Sequence, residues 1–250
     1  MSAKNRKFQA RLGMETLESR ELMAGDVRVT VSGGDLVITG DSAANSIEVR
    51  QVGIDRFEVR GVSTKINGQS NARTFPGVFD DVQVALNGGN DRVVIKGNIP
   101  DDLLINAHAG NDYIKLERVV AEDVTINTGS GSDQVYVYDS QTKADLNINN
   151  NLQNSGDHEY VIVSNTQVGT VFDGTLNIDL HGGNDKVYIS NVATDHLMAS
   201  LYDGDDYLSI RNTTVKGLCE LDGGEGTDGL NRFGNNKSFG SYRFNRYTYV

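Results

Sequence analysis

The sequence predicts an all-β chain: a right-handed parallel β-helix, or β-solenoid, of roughly 8–9 coils with about 21–26 residues per coil. Three observations predict it. An acidic residue returns at positions 91, 112, 133, 159, 185, 206 and 228, at intervals of 21, 21, 26, 26, 21 and 22 residues. Apolar and polar residues alternate on both sides of each acidic position. A glycine-bearing turn separates the two alternating runs.

The run that follows each acidic residue places apolar side chains two and four positions on: Val93/Ile95, Ile114/Leu116, Val135/Val137, Val161/Val163, Val187/Ile189 and Leu208/Ile210. The preceding run has the same period of two, as in Val82/Val84/Leu86, Leu103/Ile105/Ala107, Leu176/Ile178/Leu180 and Leu197/Ala199/Leu201. Period two marks a strand with one buried face, and the glycines between mark a turn. A strand–turn–strand unit of this length cannot bury its own apolar face, so copies must stack and share a core. Cys219, nine residues before Asp228, falls on an inward position and reads as a small core residue. An eroded copy is expected at Asn45, followed by Ile47 and Val49, two repeat lengths before Asp91.

Composition narrows the function. The 250 residues hold 28 Gly, 2 Pro, 1 Cys and no Trp, with 23 Lys plus Arg against 34 Asp plus Glu, a net charge of −11. The acidic balance argues against nucleic acid as a partner, because phosphate affinity rests on clustered positive charge. One cysteine excludes an internal disulfide and a Cys-rich zinc site, and no apolar run is long enough for a membrane helix. Residues 1–24 carry +2, from Lys4, Arg6, Lys7, Arg11 and Arg20 against three Glu, so the remainder carries −13. They lack the apolar stretch of a Sec signal, and Phe8, Leu12 and Leu17 are spaced for a short amphipathic helix.

Two segments resemble known families. Leu17-Glu18-Ser19-Arg20-Glu21-Leu22-Met23 resembles the LEPR-x-L-L box at the N-termini of secreted and surface proteins of planctomycete-type bacteria, departing at Ser19 and Met23. That resemblance implies export, to a secreted or cell-surface location. Gly223-Gly224-Glu225-Gly226-Thr227-Asp228-Gly229-Leu230-Asn231 matches the nonapeptide G-G-x-G-x-D-x-U-x of haemolysin-type (RTX) calcium-binding repeats. Gly129-Ser130-Gly131-Ser132-Asp133 keeps both later glycines, while the other copies keep only the glycine two before the acid. The resemblance implies Ca²⁺ held by Asp91, Asp112, Asp133, Asp185, Asp206 and Asp228, along one edge only because each coil carries one motif. Ca²⁺ takes hard oxygen ligands, and glycines allow carbonyls to turn inward. The competing reading is an acid that caps its own turn by accepting backbone N–H bonds.

Other features are weaker. His108 and His181 occupy equivalent turn positions three coils apart, too far to share a metal. Tyr113, Tyr160 and Tyr207 directly follow the acidic position and Tyr136 and Tyr188 lie three after it, all facing outward. That row suits a cell-surface polysaccharide as partner, although strand propensity alone favours tyrosine there. Lys115, Arg118 and Lys186 are the bases a polysaccharide lyase would need, but they occupy ordinary outward positions without convergence. The expected organisation is an export segment at 1–24, eroded coils and cap at 25–80, regular solenoid at 81–235 and a basic, aromatic capping tail at 236–250. The expected function is a non-enzymatic, exported, calcium-binding solenoid. The alternatives are a glycan-binding or polysaccharide-degrading β-helix and a calcium-independent structural surface module.

Overall fold

The computed structural model describes residues 25–150, 156–171, 173–243 and 246–249, with backbone pairing only from residue 238 on. The export box at 1–24 lies outside the described residues. The fold is an all-β solenoid built from two 12-stranded sheets, mostly parallel. Among the described residues no helix is long and apolar enough to cross a membrane.

The first sheet stacks the strands that precede each glycine turn: Val82–Ala85, Leu103–Asn106, Val124–Asn127, Leu146–Asn149, Thr175–Asp179 and His196–Ser200, then parts of Thr214–Asp222 and Lys237–Arg243. The second stacks those that follow: Arg92–Asn98, Tyr113–Ala121, Gln134–Tyr138, Tyr160–Ser164, Lys186–Ser190, Tyr207–Arg211, Gly229–Phe233 and Arg246–Tyr249. Every neighbouring pair in these two series is parallel and in repeat register, so Val93, Ile114, Val135, Val161, Val187, Leu208 and Leu230 lie one above another. All seven are at most 2% exposed. Cys219 joins the same core at 1%. The two longer intervals leave register intact: Gln134–Tyr138 pairs in step with Tyr160–Ser164, and that strand with Lys186–Ser190.

The coil count is about seven rather than eight or nine. The difference lies at the N-terminal end. Asn45 is one coil before Asp91, not two, because Ile47 pairs directly with Val93 and Val49 with Ile95. The intervening residues form antiparallel ribbons instead of another coil. Asp26–Ser32 folds back on Asp35–Thr39 through Gly33-Gly34, and Ser46–Gly53 folds back on Arg56–Gly61 through Ile54-Asp55, where Asp55 takes φ 50°. Two-residue turns of this kind demand positive φ and reverse the chain at once. The ribbons cover the edge that the first parallel coil would leave unpaired, and Phe57 closes the core there with no exposure.

A third, narrower side completes each coil. Val120-Ala121 pairs with Gln141-Thr142, Ala193-Thr194 with Thr214-Val215, and bridges link Gln141, Gln167 and Ala193. The corner leading into it needs a left-handed residue six positions after the acid: Gly97, Arg118, Asp139, Asn165, Asn191, Asn212 and Gly234 all have positive φ. Asn and Asp tolerate that conformation and bond locally. Here their side chains also bond each other from coil to coil, Asn165 to Asp139 at 3.0 Å, Asn191 to Asn165 at 2.9 Å and Asn212 to Asn191 at 3.2 Å.

The glycine two before each Asp of the row is required by the stack itself, Asp157 taking its place before Glu159. Gly110 has φ +135°, and a Cβ added there would overlap the carbonyl oxygen of Gly89 in the coil beneath. Gly33 also has positive φ, at +71°, but an added Cβ would meet nothing within 4 Å. Gly33→Ala should therefore cost only the left-handed penalty, about 1–2 kcal/mol. Gly110→Ala adds a backbone collision that no rotamer relieves, so chemical denaturation should show a clearly larger loss for it than for Gly33→Ala.

Candidate functional site

The Gly-x-Asp edge is built from two opposed ladders of side chain to backbone hydrogen bonds. Each acid sits at the foot of a strand whose next inward residue is core, so its own side chain is drawn in under the turn. Asp91, Asp112, Asp133, Asp185, Asp206 and Asp228 are all at most 2% exposed. Each turns one oxygen, Oδ1, toward the preceding coil and accepts the N–H of the residue at the same position there. Asn45 N donates to Asp91 at 2.7 Å, Asp91 N to Asp112 at 2.7 Å, and Asp112 N to Asp133 at 2.7 Å. Glu159 N donates to Asp185 at 2.9 Å, Asp185 N to Asp206 at 2.8 Å, and Asp206 N to Asp228 at 3.1 Å.

One residue earlier the direction reverses. Asn90 accepts from Asn111 N, Asn111 from Ser132 N, Ser132 from His158 N, His158 through Nδ1 from Asn184 N, Asn184 from Asp205 N, and Asp205 from Thr227 N, all between 2.7 and 3.0 Å. His158 is thus a turn staple. Neighbouring coils are tied both ways within two residues. The expected N–H acceptor role is met, but between coils rather than within one turn, and each Asp discharges it with one oxygen.

The second oxygens are left over. Oδ2 of Asp91, Asp112, Asp133 and Asp206 is buried with no hydrogen-bond partner. Oε2 of Glu159 and Oδ2 of Asp185 also lack an N–H donor, but these two carboxyls face each other, and a proton kept on Glu159 serves both. Burial, reinforced by Asp185, raises Glu159, whose Oε1 takes a 2.9 Å bond from Asn150. Burial likewise pushes Asp91 and Asp133 up to about 7, Asp112 to about 6 and Asp206 to about 8, against the lowering effect of the backbone N–H that each accepts. Asp228 is raised for the same reason. Two residues before the acids, the carbonyl oxygens of Gly89, Gly110, Gly183 and Gly204 accept no hydrogen bond among the described residues. The edge therefore carries two rows of partnerless oxygens, one of buried carboxylates and one of glycine carbonyls. Hard oxygens in that density are the donor set that Ca²⁺ takes.

All six predicted metal residues belong to this single row, in line and one per coil. A second acidic row, which the Gly-x-Asp motif does not single out, lies at the entrance to the first sheet, ten residues before Asp91, Asp112 and Asp133 and fourteen before Glu159. Asp81, Asp102, Asp123 and Asp145 are half-buried and each caps the next strand start: Asp81 accepts Asp102 N at 3.2 Å, Asp102 accepts Asp123 N at 3.0 Å, Asp123 accepts Asp145 N at 2.6 Å and Asp145 accepts Thr175 N at 2.7 Å. Asp81, Asp102 and Asp123 border a shallow groove of about 220 Å³. Beside it, Asp80, Asp81 and Asp101 bring carboxylate oxygens within 4.8 Å of one another. The 21-residue spacing of 81, 102 and 123 is the signal that could have found this row.

The remaining candidates are dispersed. His108 and His181 take the same left-handed turn position, φ 75° and 62°, and His181 stacks on Tyr202 at 4.7 Å. Lys115 and Arg118 are both engaged by Glu117, each at 3.1 Å. No family model, no curated protein and no solved structure matches the chain.

The raised acids set a pH dependence. A carboxyl whose folded pKa lies above its unfolded value binds its proton more tightly in the fold, so its contribution to stability is complete below about pH 4 and lost as pH rises through the folded values. For this row the loss falls between about pH 5 and 8. In the presence of chelator, the melting temperature should fall by at least about 5 °C from pH 5 to pH 8. Asp133→Asn, which keeps the N–H acceptor and cannot ionise, should flatten that slope. A melting temperature that rises over this interval would contradict the assignment.

Proposed function

We propose that this chain is an exported, non-enzymatic structural solenoid that takes up Ca²⁺ along its Gly-x-Asp edge. The observation that carries the reading is the pairing of partnerless Asp Oδ2 atoms with partnerless glycine carbonyls in the same turns. A buried carboxylate oxygen without a partner is costly, and two remedies exist, a proton or a cation. At the mildly alkaline pH of many external fluids the proton is the weaker remedy for Asp91, Asp112 and Asp133, whose values lie at about 6–7. The ion would be held by neighbouring members of the row, Asp91 with Asp112, Asp112 with Asp133, and Asp206 with Asp228, together with the glycine carbonyls beside them. Its chemistry there is charge neutralisation: it offsets repulsion within a row of carboxylates that stack at about the interstrand spacing of 4.8 Å.

The function follows as metal-coupled ordering. A body of charge −13 is poorly stabilised where calcium is scarce and tightens on meeting the concentrations found outside cells. The exported location rests on the resemblance of Leu17–Met23 to the export box. A second reading, a calcium-independent structural module, is favoured by the Oδ1 ladder, which already staples the coils without a cation.

Calcium titration separates the two. With millimolar CaCl₂ in place of chelator at pH 8, the melting temperature should rise by at least about 5 °C, corresponding to occupancy near a hundredfold excess over Kd. Calorimetry should show saturable heat, and Asp112→Asn should weaken it while leaving the strand signal in circular dichroism intact. No heat and an unchanged melting temperature would leave the calcium-independent module standing.

A further inference from the structure

The two sheets present opposite chemistries to solvent. Outward positions of the first sheet carry amides and acids, including an amide ladder from Asn106 through Asn127 and Asn149 to Asn177. The second sheet carries tyrosine and cations. Tyrosines alternate between two adjacent columns: Tyr113, Tyr160 and Tyr207 stand in the column that also holds Gln134 and Lys186, and Tyr136 and Tyr188 stand in the next, on either side of Ile162, with Tyr138 stacked on Tyr136 at 6.0 Å in a third. The alternation makes a continuous zigzag with ring centroids at 5.1, 6.0, 5.5 and 5.7 Å and interplanar angles of 37°, 52°, 46° and 53°. The strip runs unbroken across five coils, and every ring is half-buried.

Positive charge accompanies it. Arg92 lies over Tyr113 at 5.1 Å and Arg211 over Phe233 at 5.3 Å, while Lys186 stands exposed in register between Tyr160 and Tyr207. None of these three has an ion-pair partner among the described residues. The nearby acid, Glu117, is already shared by Lys96, Lys115 and Arg118 at 3.0–3.1 Å. A chain of net charge −11 therefore gathers unneutralised cations along its aromatic strip and acids on its other faces.

We propose that the Tyr113–Tyr136–Tyr160–Tyr188–Tyr207 strip, with Arg92, Lys186 and Arg211, is a docking surface for a linear acidic polysaccharide lying along the solenoid axis. The chemistry matches on three counts. Aromatic rings carry a polar handle beside an apolar body, which suits a pyranose with C–H faces and hydroxyl edges. The ring-to-ring step is comparable to the advance of one sugar in an extended chain. The unpaired cations complement carboxylates borne at intervals along it, and the acidic faces steer the polymer onto this one. Nucleic acid suits the strip less. Phosphate affinity rests on clustered positive charge, and the chain carries −11 overall; an oligothymidylate in the test below decides between the two polyanions. A second copy of the chain suits it less too, since like-charged strips would face each other.

The test uses the full chain in EDTA, so that its outcome is independent of the calcium reading. Because the chain has no Trp and half of its 10 Tyr form the strip, tyrosine fluorescence carries a strip signal that the tyrosine variants below identify. Oligogalacturonate long enough to span five coils should quench or enhance it saturably, and fully methyl-esterified oligomer should bind much more weakly. Tyr136→Thr/Tyr188→Thr should lose about tenfold in affinity, about 1.4 kcal/mol, and the exposed Lys186→Gln a similar amount, with melting temperature and strand signal near those of the parent. Equal binding of the esterified oligomer, equal binding of an oligothymidylate, or unchanged affinity in both variants would overturn the proposal. So would a tyrosine-dependent dimer in sedimentation with no saccharide binding.

Discussion

Everything in this molecule depends on stacking in register. Because each coil places its residues on the same residues of the next, a single favourable or unfavourable contact is repeated along the whole axis. The apolar columns exploit this, with valine, isoleucine and leucine meeting their counterparts at full burial. The glycine column is forced by it, since a Cβ at Gly110, Gly183 or Gly204 would strike backbone in the coil beneath. The same repetition brings ionisable groups of one sign together, which an isolated turn would never do.

The acidic column shows how that conflict is handled. An Asp at a turn ordinarily caps its own loop; here Oδ1 reaches to the neighbouring coil and the residue before it reaches the other way, so the turn edge is stapled in both directions. Asparagine would satisfy the same N–H at no electrostatic cost. That the chain uses five buried Asp and one Glu between Asp91 and Asp206 leaves second oxygens that stapling does not use, and burial then pushes their titration toward neutrality. The pH dependence, the calcium reading and the requirement for glycine all arise from this one edge.

The polar and aromatic faces add a division of labour. One sheet is amide and acid outside, the other tyrosine and cation, and neither alternative is imposed by the fold, because outward strand positions accept almost any side chain. The ends are handled differently again: antiparallel ribbons close the N-terminal edge, whereas the last strands, Lys237–Arg243 and Arg246–Tyr249, continue the parallel series onto Thr214–Asp222 and Gly229–Phe233.

The sequence by itself determined the repeat, the two strand faces, the inward place of Cys219 and the alignment of Asp91 through Asp228, because period-two patterning and glycine spacing are local and survive without coordinates. It did not reveal that Asn45 abuts Asp91 in the next coil, since 46 residues of chain can close either as two coils or as one coil and a ribbon, and only edge pairing selects between them. The third side of each coil was equally hidden, its corner taken by Gly97, Arg118, Asp139 and Asn165 in turn, residues with no common side chain but one common φ. Nor could spacing say that the acids point under the turn, each dividing its two oxygens between a staple and a vacancy of partners, or that alternate tyrosines close into one strip. Those facts depend on where a side chain ends up relative to another coil, and that relation exists only once the coils are stacked.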